Sequence, residues 1–264
     1  MGFSDLQDTF AAARAEGRAV FMPFLTAGLP TIETSVERFV AMADAGADAF
    51  EVGIPYADPL MDGPTVQEAS ELSRERGMTM SIGLDLVRQV AALTGKPVIV
   101  MTYVNPVLTM GVGGFMQAVS EAGAAGVIIA DLPFEESEPF SKSAGEHDVG
   151  LALFVAPTTP EERVRAIAAS QPAFIYGVAE MGVTGERADG SGHIEGLIRL
   201  VRSISQVPIV LGVGISTPDQ AAKAGELADG VIVGSAIVRI VLEQPDDLDI
   251  FTTTVSSLAK AVHG

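Results

Sequence analysis

Short apolar runs recur along the chain, and each is followed by a polar loop and then by a helical pattern. Runs that are apolar on both faces are typical of buried parallel strands. Regular alternation of strand and helix predicts a (β/α)8 barrel, with an open doubly wound sheet as the alternative. The eight runs are AVFMPFLTAG, DAFEVGIPY, PVIVMTYVN, GVIIADLP, GLALFVAP, AFIYGVAE, PIVLGVGI and GVIVGSAI.

The stretch before the first run, Met1 to Val20, has the pattern of an amphipathic helix with mixed charges. It lacks the basic-then-apolar order of a signal peptide. No apolar run reaches the roughly 20 residues needed to span a bilayer. No linker or change in composition divides the 264 residues. The sequence therefore predicts one domain, residues 1–264, built as a single barrel with an extra N-terminal helix.

Charge and cysteine content narrow the possible partners. The formal net charge is -18 and no cluster of Lys or Arg is present, so nucleic acid and anionic membranes are disfavoured as partners. The chain has no cysteine, which excludes disulfides and thiolate chemistry and is compatible with a reducing compartment. We expect a cytoplasmic protein that acts on a small molecule.

An acidic residue interrupts the second apolar run. Successive side chains of a strand alternate between faces, so Glu51 lies on the face opposite Phe50 and Val52 and is expected to point into the barrel. The same count directs Met101, Tyr103 and Asn105 of the third run inward, and groups Phe174 with Tyr176 on the sixth. An enclosed Glu is costly to ionise, which raises its pKa toward values useful for proton transfer. The alternative is a Glu held in a structural ion pair.

Two connections are long enough to carry function. They follow the second run (57–77) and the sixth (181–192), and the first of them contains Asp62. Three glycine-bearing corners also follow the last three runs: 182–185, 212–217 and 234–236. Free amides at such a strand-to-helix corner bind anions, and barrels commonly hold a phosphate there. Ser235 adds a hydroxyl donor, so the sequence predicts a phosphorylated substrate.

Several kinds of catalysis are disfavoured by what the chain lacks at its strand ends. None of the four lysines lies at the carboxyl end of a run, which argues against a Schiff-base aldolase. Three scattered histidines and no cysteine argue against a zinc enzyme. Carboxylate acid–base chemistry remains, with Phe24 and Tyr176 able to pack on a flat ring.

Five segments spread over nearly the whole chain resemble the α subunit of tryptophan synthase: FEVGIPYADPLMDGPTVQEA, MTYVNP, FVAPTTPEER, FIYGVAEMGVTG and ADGVIVGSAIV. The resemblance implies a (β/α)8 barrel that cleaves indole-3-glycerol phosphate to indole and glyceraldehyde 3-phosphate. It implies that Glu51 is the general acid/base and Asp62 the second catalytic carboxylate. The implied substrate contacts are Phe24, Met101, Tyr103, Ile129, Tyr176, Thr184, Gly185, Val213, Gly214, Gly234 and Ser235.

The resemblance also implies a partner and a closing loop. Thr184, in the loop after the sixth strand, is expected to reach Asp62 when that loop folds over the site. The loop Pro55–Pro64 is expected to face a β subunit in an αββα complex, with Pro55 and Asp58 as contacts, although Asp58 is also an ordinary turn residue before Pro59. No metal or cofactor is expected in this chain, and pyridoxal phosphate only in the partner.

The chain departs from the family pattern at four positions. Ala179 and Glu180 stand where many members have a Ser-Arg pair, which bears on loop closure. Val213 replaces an aromatic residue and makes the indole pocket less aromatic, and Ala57 replaces a common serine.

Three other functions stay open. The chain could be a free-standing lyase that releases indole, or a non-catalytic subunit that activates a β partner, although the intact Glu51 and Asp62 argue against the latter. A different phosphate-binding barrel, such as a sugar-phosphate isomerase, would share the glycine corners.

Overall fold

The computed structural model describes residues 1–178, 190–212 and 214–264, and of residues 190–193 the backbone only. The strands in these residues are β1 Val20–Thr26, β2 Phe50–Gly53, β3 Val98–Thr102, β4 Gly126–Ile129, β5 Gly150–Leu151, β6 Leu153–Val155, β7 Ile175–Gly177, β8 Ile209–Leu211 and β9 Gly230–Val233. The helices are α1 Phe3–Ala15, α2 Ile32–Asp44, α3 Pro64–Glu75, α4 Met80–Thr94, α5 Val104–Met110, α6 Val112–Glu121, α7 Glu138–Glu146, α8 Glu161–Ala169, α9 Gly190–Ile204, α10 Pro218–Leu227, α11 Ser235–Glu243 and α12 Leu248–His263.

The strands form a single parallel sheet in the order β5-β4-β3-β2-β1-β9-β8-β7-β6. Its two ends, β5 and β6, are halves of one predicted run and are separated only by Ala152. The Ala152 amide donates to the Val127 carbonyl at 3.0 Å, whereas the Leu153 amide donates to the Phe174 carbonyl at 3.3 Å. The chain thus passes from the β4 side to the β7 side at this point and closes the sheet, which confirms the predicted barrel.

The N-terminal helix is confirmed and lies at the amino end of the barrel. Phe10 of α1 is 5% exposed, and its ring centroid lies 6.3 Å from that of Phe174, just before β7. A Cβ added at Gly230, the first residue of β9, would lie 3.2 Å from the Phe10 ring. The helix therefore closes the end of the barrel opposite the one where barrel enzymes carry their sites.

The outer face of the strands packs against helices, as the apolar pattern predicts. Phe50 of β2 is fully buried and meets Phe39 of α2 edge-on, with ring centroids 5.7 Å apart. Because Phe50 faces α2, the side chain that follows it must face the barrel interior. The start of α10 also matches its sequence signals: Thr217 caps the helix by accepting from the Gln220 amide, and Pro218 occupies its first turn.

In the described residues, no helix is both long enough and apolar enough to cross a bilayer.

Candidate active site

A cavity of about 720 Å³ opens at the carboxyl ends of the strands. Its size is typical of small-molecule sites, which are mostly apolar with a few convergent polar groups. The loops after β2, β4, β6, β8 and β9 contribute to its wall. Two carboxylates that the sequence singled out line this cavity, Glu51 and Asp62, together with Phe24, Met101, Tyr176, Gly214, Gly234 and Ser235.

Glu51 lies deep in the barrel, in the middle of β2. It is level with Phe24 of β1 and Ile99 of β3 in the sheet register, and only 4% of it is exposed. Its Oε2 has no hydrogen-bond partner in the described structure. Burial, reinforced by the nearby negative charge of Asp62, raises the pKa of Glu51 to about 8. Glu51 therefore holds a proton at neutral pH and can donate it.

Asp62 reaches the same cavity from a loop. Its amide donates to the Pro59 carbonyl at 3.1 Å, its carbonyl accepts from the Gln67 side chain at 2.8 Å, and α3 begins two residues later at Pro64. The side chain is half-buried. Burial raises the pKa of Asp62 to about 6, and the hydroxyl of Tyr103 opposes this shift. At neutral pH Asp62 is ionised beside a protonated Glu51.

Aromatic rings fill the space around the two acids because glycines leave room for them. A Cβ at Gly53 would lie 2.5 Å from the Phe24 ring, and one at Gly234 would lie 3.2 Å from it. A Cβ at Gly212 would collide with the Tyr176 hydroxyl. Burial raises the pKa of Tyr176 well above its ordinary value, and the charges of Glu51 and Asp62 add to this shift. Tyr176 is therefore a neutral phenol throughout the physiological range.

The corner after β9 has the features of an anion site. Gly234 is the N-cap of α11, and Ser235 is its first residue. The first amides of a helix have no partner within the helix, and its dipole favours a negative charge there. Gly214 lines the neighbouring corner with φ of 75°, a left-handed conformation suited to glycine. Both corners line the same cavity as the two carboxylates.

Comparisons with known proteins agree with this geometry. The family model described as "Tryptophan synthase alpha chain" matches residues 10–263. The chain is 41% identical over 262 residues to the tryptophan synthase alpha chain of Streptomyces coelicolor, covering 98% of this chain and 97% of the relative. It is 35% identical over 259 residues to the alpha chain of Arabidopsis thaliana, covering 96% and 94%.

The chain belongs to the tryptophan synthase alpha chain family. Solved structures agree with this assignment. A chain of Mycobacterium tuberculosis tryptophan synthase superposes with a TM-score of 0.89 at 35% identity, covering 98% of both chains. Subunit alpha of Legionella pneumophila tryptophan synthase gives a TM-score of 0.89 at 31% identity, covering 99% of this chain and 98% of the other.

Most of the described site residues expected from the family resemblance line the cavity, whereas Ile129, Tyr103 and Asn105, the last expected inward from strand parity, do not. Ile129 is buried away from the cavity, and Ile128 lines it instead. Ile128 pairs in register with Met101, and residues level with each other on neighbouring strands point to the same face. Asn105 was expected inward on the third strand, but that strand ends at Thr102, and Asn105 is an exposed residue of α5.

Tyr103 lies behind the cavity wall rather than in it. It is 2% exposed and follows β3 directly. Among the described residues its hydroxyl has no partner of good hydrogen-bond geometry, although it lies close enough to Asp62 to lower the pKa of that acid. Tyr103 is thus placed to act on Asp62 rather than on a ligand.

Four expected features fall outside the described residues. They are the substrate contacts Thr184, Gly185 and Val213, and the departure at Ala179 and Glu180. These expectations stay predictions.

The cavity also has wall residues that were not predicted from the sequence. Phe154 of β6 lines it, with its ring centroid 5.0 Å from that of Tyr176. Asp131, on the loop after β4, and Arg163, on α8, also line it, and the Arg163 guanidinium donates to Glu135 at 2.6 Å. Leu153 and Val155 also line the cavity, so strand parity does not distinguish Phe154, and no sequence signal identified Arg163.

In the described residues, no group of three or more His, Cys, Asp or Glu is arranged to hold a metal ion.

Proposed function

We propose that this chain cleaves indole-3-glycerol phosphate to indole and glyceraldehyde 3-phosphate, as the α subunit of a tryptophan synthase. One observation carries the proposal: two carboxylates with separated pKa values line the same cavity as a helix-terminal anion corner. Family membership supports the same reaction.

The cavity offers a seat for each part of this substrate. The phosphate would lie at the amino end of α11, where free amides and the Ser235 hydroxyl donate to it. The indole ring would lie among Phe24, Met101, Ile128 and Phe154, all of which line the cavity. Glu51 and Asp62 would then flank the bond that breaks.

Glu51 suits both proton transfers. In its protonated form it donates to C3 of the indole, which leaves a positively charged ring nitrogen. The bond between C3 and the glycerol carbon breaks, its electron pair neutralises the ring, and the adjacent hydroxyl becomes the aldehyde of glyceraldehyde 3-phosphate. The hydroxyl proton goes to the Glu51 carboxylate and restores the acid. A pKa of about 8 permits both directions of transfer near neutral pH.

Asp62 suits the charge that develops on the ring. As a carboxylate it would accept a hydrogen bond from the indole N–H, and this bond strengthens as the nitrogen becomes positive. The protonated ring is itself the electron sink, so the reaction requires neither a Schiff base nor a metal. We therefore expect no cofactor in this chain and pyridoxal phosphate only in a β partner.

An exposed apolar surface supports a partner at the loop Pro55–Pro64. Leu60 and Met61 in this loop are 78% and 63% exposed, and Leu108 and Met110 of α5 are 55% and 40% exposed. We call these four residues the partner face. Large apolar side chains that cluster on a surface mark interaction sites. We propose that a tryptophan synthase β subunit covers this face in an αββα complex.

The direct test is to assay the purified chain on indole-3-glycerol phosphate, alone and with a tryptophan synthase β subunit, by release of indole. Slow cleavage that the β subunit accelerates supports the α-subunit role, and fast unaided cleavage supports a free-standing lyase. No cleavage under either condition overturns the proposal.

Glu51→Gln tests the assigned acid. Loss of a general acid/base lowers kcat by roughly 10²- to 10⁴-fold, while binding of glyceraldehyde 3-phosphate should be retained because the anion corner is untouched. Glu68→Gln, at an exposed position of α3, is the matched control and should keep full activity. Appreciable turnover by Glu51→Gln would remove Glu51 from the mechanism.

A further inference from the structure

Tyr56 joins the loop that carries Asp62 to helix α5. Its hydroxyl accepts a hydrogen bond from the Asn105 side chain at 2.9 Å. Its ring stacks on that of Tyr103, with centroids 5.3 Å apart and planes inclined by 29°. Tyr56 lies between Glu51 and Asp62 in the chain and is half-buried. The two contacts therefore hold the catalytic loop from outside the cavity.

Tyr103 passes this restraint inward. The Asp131 carboxylate accepts from the next amide, that of Val104, at 2.7 Å, so the backbone at the start of α5 is fixed. The Tyr103 hydroxyl lies near Asp62 and has no hydrogen-bond partner of good geometry within the described part of the chain. With the backbone fixed, the direction of this hydroxyl depends on how the ring is packed. Tyr56 is the aromatic side chain that packs on it.

We propose that Tyr56 is a positioning residue for Asp62. The Asn105–Tyr56 hydrogen bond and the Tyr56–Tyr103 stack fix the Tyr103 ring, and thereby keep its hydroxyl near the Asp62 side chain. The inference rests on the proposed function, because it assigns Tyr56 a part in the same cleavage reaction. Tyr56 does not itself line the cavity.

The position of Tyr56 also links the site to a partner. Leu60 and Met61 of the partner face lie on the loop that Tyr56 anchors, and Leu108 and Met110 lie on the helix to which it is anchored. A β subunit that covers all four side chains would press the loop and α5 together across this contact. Acceleration by the partner should therefore depend on Tyr56.

The pH dependence of kcat/KM distinguishes a positioning role of Tyr56 from a purely structural one, because a purely structural role would leave the acid limb unchanged. The titratable groups around Asp62 are Glu51 on β2, Tyr103 after β3 and Tyr176 on β7, with Asp131 acting on Tyr103 from the loop after β4. Among them, the Tyr103 hydroxyl lowers the pKa of Asp62. Loss of this contact raises that pKa, so the acid limb of kcat/KM should move to higher pH.

The experiment compares Tyr56→Phe, Asn105→Ala and the double variant with the wild type. Tyr56→Phe keeps the ring and loses only the hydroxyl. Each single variant should lower kcat by about 2- to 10-fold, the range that one hydrogen bond can contribute, while KM changes less than about twofold. The double variant should lose no more than either single variant, because both remove the same bond.

Gln117→Ala is the matched control. Gln117 lies on the neighbouring helix α6, and its exposed side-chain amide donates a hydrogen bond to Glu121 at 2.8 Å. It should leave kcat and the acid limb unchanged.

The outcomes separate this inference from the proposed function. If the wild type cleaves nothing, with or without the β subunit, the proposed function fails. If the wild type cleaves and Tyr56→Phe keeps both its kcat and its acid limb, only the role of Tyr56 fails. The role of Tyr56 also fails if the loss of kcat in the double variant equals the product of the two single losses, because Tyr56 and Asn105 would then act independently.

Discussion

Glu51→Gln should stabilise the folded chain near neutral pH while it removes catalysis. The folded chain keeps a proton on Glu51 up to a pKa of about 8, whereas the ordinary value is 4.5. Between these two pH values the folded state binds more protons than the unfolded state, so stability falls as pH rises. Glutamine has no proton to lose, and the variant escapes this penalty.

The size of the effect follows from the width of that window. Each unit of pH between 4.5 and about 8 lowers the free energy of unfolding of the wild type by about 1.4 kcal/mol. Relative to its value at pH 4, the advantage of the variant should grow to about 3 kcal/mol at pH 7 and level off near 5 kcal/mol above pH 8. Asp62 titrates in both proteins and largely cancels in the comparison.

Urea unfolding followed by circular dichroism at pH 4, 5.5, 7 and 8.5 measures the difference. Glu68→Gln is again the control, because its exposed carboxylate makes the same chemical change without burial. The reasoning is refuted if the difference in unfolding free energy between Glu51→Gln and the wild type changes by less than about 1 kcal/mol from pH 4 to pH 8.5. It would mean that Glu51 is already ionised in the folded chain.

Two further predictions follow from the same geometry. The kcat/KM of the cleavage should be bell-shaped, with limbs near pH 6, where Asp62 ionises, and near pH 8, where Glu51 loses its proton. Because a phosphate monoester also titrates near pH 6, Asp62→Asn is the control, and an unchanged acid limb in its residual activity would assign that limb to the substrate. Gly212→Ala should lower stability by about 1–3 kcal/mol and raise KM, because the added methyl group collides with the Tyr176 hydroxyl. Thermal unfolding and steady-state kinetics test this, and a variant with the stability and KM of the wild type would contradict it.

The barrel and the inward direction of Glu51 could be predicted because both follow from local alternation. The direction of a strand side chain follows from that of the residue next to it. Phe50 packs outward on Phe39, so Glu51 points inward. The error at Ile129 arose because that residue was placed from the family resemblance. The register, which pairs Met101 with Ile128, decides the matter, and a sequence does not state its register.

Contacts between distant segments could not be predicted. The break at Ala152, where the chain leaves β4 for β7, sets how Phe154 meets the cavity wall. The hydrogen bond between Tyr56 and Asn105 joins residues 49 positions apart. Both features depend on how two elements pack against each other. The side-chain pattern within one element does not predict that packing. The size of the pKa shift at Glu51 likewise depends on burial by the assembled barrel.

The two carboxylates differ because they stand on different kinds of element. Glu51 lies on β2, where its side chain is almost fully buried, so desolvation dominates and the acid stays protonated at neutral pH. Asp62 lies on a half-exposed loop, where a neighbouring hydroxyl offsets part of the same penalty. The separation of their pKa values is what gives one acid and one anion in a single cavity near neutral pH. If the proposed role of Tyr56 holds, a partner that covers the loop acts on Asp62 through Tyr56 and Tyr103, while Glu51 stays fixed on its strand.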